Sequence, residues 1–265
     1  MDKAFRVLSA GGPVYCLHEL VHNESVVTAL AARGLRFVER LDEVPSGATV
    51  LFSAHGVSPA VRRQAEARRM SVVDATCPFV ARIHRQVRDF AARGINLVVV
   101  GHAEHVEVQG VVGEAAGTGI DVAVVDAADA VAALPAWSRV GVVCQTTLSE
   151  DVVRAVWTAL ERRYPHVERP AAAGVCTATR DRQNAVRAFV RAGGDGVLVV
   201  GSPRSSNTRR LAEVAAAEGA RAMRVGNVAD VSGCDFSGIR RLGVTAGAST
   251  PESLLRAVVD SLGGR

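Results

Sequence analysis

The sequence predicts an α/β protein made of several parallel-sheet modules, on three observations. Short Val-rich runs alternate with amphipathic stretches almost from end to end. Aromatic residues are scarce, at 4%, within a hydrophobic fraction of 48%. Such a balance suits aliphatic strands covered by Ala- and Leu-rich helices. Polar clusters also recur where a strand pattern gives way to a helix pattern, the edge at which parallel sheets bind ligands.

In chain order, strands are expected over residues 13–18, 49–53, 71–74, 96–100, 122–126, 141–144, 197–201, 222–225 and 242–245. Helices are expected over 25–33, 59–69, 79–92, 150–164, 182–192, 207–218 and 251–262. Thr250 is read as the N-cap of the last helix, with Pro251 at its first helical position. Strand, crossover helix and parallel strand form right-handed βαβ units. A strand followed by a polar loop and a helix repeats irregularly at 51–56, 99–105 and 199–207, which favours similar modules over a solenoid. The expected modules are 1–76, 77–174 and 175–250, with 251–265 as a C-terminal helix returning to the first. The stretch 169–174 reads as a hinge.

Charge and cysteine content narrow the function. The net charge of +4 is spread through helices without a like-charge block, and few aromatics could stack on bases, so nucleic acid is not the expected partner. A mild positive balance suits an anionic small molecule. The first twelve residues lack the apolar core of a signal peptide, and runs such as 97–100 and 197–200 are too short to span a bilayer. A cytoplasmic protein without membrane contact is expected. Five widely spaced cysteines then read as buried thiols or metal ligands rather than disulfides.

Seven loops carry the chemistry. Ser205-Ser206-Asn207 precedes a helix after a Gly-ended strand, and Gly247-Ala248-Ser249 precedes the last helix. Each reads either as a plain helix cap or as an anion site of hydroxyls, amide and helix N–H groups. Together, beside His22, His55 and His105 in corresponding loops, they point to phosphate or diphosphate. Neither GxxxxGK[ST] nor a convincing GxGxxG occurs, which removes the common nucleotide folds. Zinc is the weaker reading, since no HExxH or CxxC is present. His18, His84 and His166 are read as structural. Cys77 and Cys176, at segment ends, read either as inert thiols or as ligands of an iron–sulfur cluster, and their spacing does not choose.

Eight segments in order, HELVHN, SAHGVS, DATCP, GHAEHVEV, QTTLS, VCTATRDRQ, GSPRSSNTRRLAE and GVTAGAST, resemble the 4-hydroxy-3-methylbut-2-enyl diphosphate reductase family. The resemblance runs from about Asp2 to the last helix. It implies three α/β lobes in a trefoil around a 4Fe–4S cluster, with Cys77 and Cys176 as two of its three cysteines. It implies that His22, His55, His105, Ser205, Ser206, Asn207 and Ser249 bind the diphosphate of an allylic substrate. Glu107 would supply protons and Thr146 would touch the substrate alcohol. Electrons would come from a ferredoxin- or flavodoxin-type donor, and the products would be isopentenyl and dimethylallyl diphosphates.

The chain departs from the family at its start, where a Gly-Phe-Cys-type loop holding the first cluster cysteine has no counterpart. The third cysteine ligand is therefore absent from this chain, and a cluster on two thiolates is expected to be labile. Cys16 lies nearby but at a strand position. Two readings stay open: a misplaced start, or a shortened paralogue that binds a diphosphate without a stable cluster and is not a reductase. Smaller departures are Leu17, Val106 and Asp181, where the family favours a basic residue, Pro and Asn.

Overall fold

The computed structural model describes residues 2–169 and 175–263, and the expected hinge at 169–174 lies almost wholly outside them. Its strands form three separate parallel sheets. After helix α1 (Asp2–Ser9), the first sheet takes β1 (Val14–Leu17), β2 (Leu35–Val38), β3 (Thr49–Phe52) and β4 (Ser71–Asp74) in the order β2-β1-β3-β4. Helices α2 (Glu24–Ala31) and α3 (Pro59–Ala67) are the crossovers. Register pairs Cys16 with Phe37 on one side and Leu51 on the other, which places that thiol in the sheet interior.

Helix α4 (Pro78–Ala92) leads to a second sheet. Its strands are β5 (Asn96–Val100), β6 (Val122–Val125), β7 (Arg139–Cys144) and β8 (His166–Glu168), in the order β6-β5-β7-β8. Helices α5 (Val106–Ala115) and α6 (Glu150–Arg163) accompany it. Leu97 and Val99 project into a core shared with Ile83, Val87 and Phe90 of α4, whereas their neighbours point to the opposite face. Gly141 lies where a Cβ would approach the Phe90 ring to 2.7 Å, so only glycine lets α4 sit this close to β7.

The third sheet follows α7 (Thr177–Arg191) and comprises β9 (Gly196–Val200), β10 (Arg221–Val225) and β11 (Leu242–Ala246), ordered β10-β9-β11. Helix α8 (Ser206–Ala217) covers one face through Leu211 and Val214. Helix α9 (Glu252–Gly263) covers the other, with Val258 against Leu198 and Val200. Thr250 does not cap α9. Its hydroxyl donates to the Val200 carbonyl (3.0 Å), and the Pro251 carbonyl accepts the first helical bond, from Leu255.

By contacts, Met1–Val21, Ala29–Thr146 and Glu150–Gly174 form one compact unit, and His22–Thr28, Thr147–Ser149 and Val175–Arg265 another. The first unit holds two sheets and the second holds one. Among the described residues no helix is long and apolar enough to cross a membrane.

Candidate functional site

In the first unit the candidate residues collect at the C-terminal ends of β3, β5 and β7. Glu107 lies in the first turn of α5, where its backbone N–H reaches the Nδ1 of the N-cap residue His105 (3.2 Å). Its carboxylate turns inward to the start of the loop after β7. There the Thr146 backbone N–H donates to Oε1 (2.7 Å) and the Thr146 hydroxyl to Oε2 (2.8 Å). At 2% exposure the carboxyl is cut off from water. Burial pushes it up to about 7, against the two Thr146 hydrogen bonds that pull it down. An acid near neutrality, fixed at both oxygens, is suited to giving up a proton. Gln145 braces the arrangement by accepting from the His102 N–H (3.1 Å).

His55 stands beside this acid's helix. Its ring meets that of His105 edge to face, centroids 5.8 Å apart, and its Nδ1 lies 3.2 Å from the Ser53 hydroxyl. Cys77 follows the loop after β4, where Asp74 Oδ1 accepts from the Thr76 N–H (2.9 Å) and the Cys77 N–H donates to the Ala54 carbonyl (3.0 Å). That last bond ties the cysteine to the loop bearing His55.

In the second unit the candidates gather around the start of α8. Ser205 is the N-cap, its Oγ accepting from the Thr208 N–H (3.3 Å). Ser206 is half-buried and accepts from Arg209 (3.5 Å). Asn207 is 4% exposed, and neither atom of its amide has a partner among the described residues. A buried amide left unpaired costs about 1–3 kcal/mol. One held at a helix N-terminus is a ready donor for an anion. Ser249 donates to the His22 carbonyl (3.4 Å), which joins those two loops. Gly201 and Gly247 both back onto Thr208 so closely that any Cβ would collide with its hydroxyl. Glycine at these two positions lets the ends of β9 and β11 close on the start of α8.

Cys176 occupies the N-cap of α7 with φ −60° and ψ 134°, and Cys77 the N-cap of α4 with φ −60° and ψ 136°. Neither sulfur caps its helix, and both are half-buried. Each thiol stands at the positive end of a 15-residue helix, a position suited to thiolate ligation of a metal. Cys16 does not fit: it is fully buried in β1, and burial pushes its thiol up to about 12. Among the described residues no group of three His, Cys, Asp or Glu is gathered as a metal site.

The whole of 1–263 matches the family model described as LytB protein. The chain belongs to the LytB family. It is 46% identical over 258 residues to the 4-hydroxy-3-methylbut-2-enyl diphosphate reductase of Azoarcus sp. (strain BH72), covering 95% of this chain and 80% of that one. The protein of the same name from Acidithiobacillus ferrooxidans is 42% identical over 265 residues, 100% of this chain and 83% of the other. The fold agrees. The structure of the E-1-hydroxy-2-methyl-but-2-enyl-4-diphosphate reductase of Plasmodium falciparum superposes with a TM-score of 0.92 at 31% identity, covering 98% of this LytB chain and 81% of that one.

Two features lay beyond sequence reasoning. Gln145 opens the QTTLS segment with no local sign of its role, and its bond to His102 spans 43 residues. His84, read as structural, is buried against Glu114 of α5 (2.7 Å). A histidine on the buried face of a strongly periodic helix was the only available signal.

Proposed function

We propose that this LytB protein is a reductase that removes the allylic hydroxyl of 4-hydroxy-3-methylbut-2-enyl diphosphate, forming isopentenyl and dimethylallyl diphosphates. Identity above 40% to several reductases of that name supports the substrate. The observation that carries the chemistry is the buried Glu107 carboxyl, held by Thr146 and poised near neutrality. Reductive loss of a hydroxyl consumes two electrons and two protons and releases water, so the site needs a proton donor that bulk solvent does not level.

Each residue has a role in this reading. His22, His55, His105, Ser205, Ser206, Asn207 and Ser249 bind the diphosphate, whose charges are shared among imidazoles, hydroxyls, an amide and helix N–H groups. Distributing the load in this way requires no Lys or Arg. Thr146 passes a hydrogen bond between Glu107 and the substrate alcohol, and Glu107 supplies the protons, one to the oxygen that departs as water and one to the allylic carbon. Cys77 and Cys176 would be two of the ligands of a 4Fe–4S cluster, which would supply electrons singly and a Lewis-acid iron. A ferredoxin- or flavodoxin-type protein is the proposed electron donor, and the cytoplasm the proposed location. The chain divides into modules at 1–76, 77–174 and 175–250, followed by 251–265.

The experiment is anaerobic preparation of the protein followed by iron analysis and turnover with the allylic diphosphate and a one-electron reductant. Slow formation of the two five-carbon diphosphates, limited by a labile cluster on two thiolates and lost in Cys77→Ser and Cys176→Ser, is the expected result. Iron retention without any turnover would overturn the reading.

A further inference from the structure

Helices α4 and α5 are joined by a buried polar contact that the proposed chemistry does not use. Glu114, near the end of α5, accepts from His84 Nδ1 of α4 (2.7 Å) and from Arg88 Nη1 (3.0 Å). Burial raises this carboxyl, but the bonds from His84 and Arg88 outweigh it and hold it below its ordinary value. It is therefore ionised at neutrality, and Nδ1 must carry the donated hydrogen. A buried ionic contact is seldom better for stability than packed aliphatic side chains, so stability alone does not account for it.

Where the imidazole points supplies one. Its opposite edge abuts Gly56, the residue after His55. A Cβ there would come within 2.9 Å of His84 Nε2, and Gly56 is already committed to a positive φ of 76°. From the other side α5 presses in through Gly110, where a Cβ would lie 3.4 Å from the Gly56 carbonyl oxygen and 3.5 Å from His84 Cε1. The contacts close into a ring. His84 abuts Gly56, His55 meets His105 edge to face, His105 caps α5, and α5 carries Glu114 back to His84.

We propose that His84 is a positioning residue for the diphosphate end of the site. Fixed by Glu114, its ring is the stop on which Gly56 seats, and so it sets where His55 is presented relative to His105. The inference rests on the reading of His55 as a diphosphate ligand. A displacement of His55 by a fraction of an ångström weakens a hydrogen bond that works near 3 Å. It leaves the Glu107–Thr146 pair, held by its own bonds, in place.

The test separates the ring from its bond. His84→Asn keeps a donor toward Glu114 but withdraws the ring from Gly56, whereas Glu114→Gln keeps both the acceptor and the ring. With the full chain, binding of inorganic pyrophosphate is measured by calorimetry, alongside KM, kcat and Tm. In His84→Asn, pyrophosphate affinity falls and KM rises by about tenfold, while kcat stays within about threefold. Glu114→Gln retains wild-type KM. Unchanged binding and KM in His84→Asn, a drop in Tm alone, or an equal loss in Glu114→Gln would each overturn the proposal. His55→Ala is the control. If it weakens pyrophosphate binding and His84→Asn does not, the inference fails alone. If the wild type ignores pyrophosphate, the site reading fails and the inference with it.

Discussion

The two compact units carry candidate site residues in opposite states of satisfaction. In the first, Glu107 is buried with each carboxylate oxygen hydrogen-bonded to Thr146, a residue 39 positions away. In the second, Asn207 is equally buried, yet both polar atoms of its side chain lack a partner among the described residues, beside hydroxyls at the head of α8. Under the proposed function the contrast separates two tasks. A group that must hold and release a proton needs an environment that fixes its pKa before substrate arrives. A group that must grip an anion gains most when its hydrogen-bonding capacity is still unspent, because pairing it then relieves a standing penalty.

The sharpest way to break this comparison is Glu107→Gln, which keeps the shape and removes the proton. Turnover should fall by about 10³-fold, with pyrophosphate affinity within about twofold of wild type. A variant that kept its rate would end the assignment of Glu107. Next in size is Asn207→Ala, in which pyrophosphate and substrate binding should weaken by about 10–100-fold while the pH profile of turnover stays unchanged. Loss of turnover without loss of affinity would show that the two units do not divide the work in this way.

The pH dependence sharpens the same contrast. Activity that needs protonated Glu107 should decline as pH rises through about 7. Stability follows the same sign. The folded carboxyl titrates higher than its unfolded counterpart at 4.5, so the native state binds more protons between the two values and loses stability as pH climbs from 4.5 through about 7. Denaturant titrations should therefore show Glu107→Gln gaining on wild type between pH 5 and pH 8, by on the order of 3 kcal/mol at most. The smallest effect is Thr146→Val, which removes one of the two bonds to Glu107 and should cost about tenfold in turnover with little change in binding.

Much of this was legible in the sequence because ligand loops in parallel sheets lie where a strand pattern stops. Strands 71–74 and 96–100 appear as expected, and the candidate residues lie at their ends or in neighbouring loops. What escaped has physical reasons. β2 (Leu35–Val38) and β8 (His166–Glu168) are short edge strands with polar residues, too weak in pattern to stand out. α5 was missed because its sequence, VEVQGVVGEA, is rich in β-branched residues and glycine, which are poor helix formers. Its Gly110 and Gly113 serve close approach to the Gly56 carbonyl and to Ser58, so tertiary packing overrides local preference. Contacts such as Glu107 with Thr146, or His84 with Glu114, join residues 30 or more apart and leave no local trace.

Cys16, sealed between β2 and β3, has a consequence for the bench. With burial pushing its thiol well above the ordinary value, Cys16 carries almost no thiolate at pH 8. Iodoacetamide or maleimide should pass over it in the native protein. Mass spectrometry after a brief alkylation of cluster-free protein would then find the label on the half-buried cysteines, Cys77 and Cys176 among them, with Cys16 appearing only after denaturant has opened the sheet. That delay makes one native side chain a built-in clock for global unfolding, readable without any engineered probe.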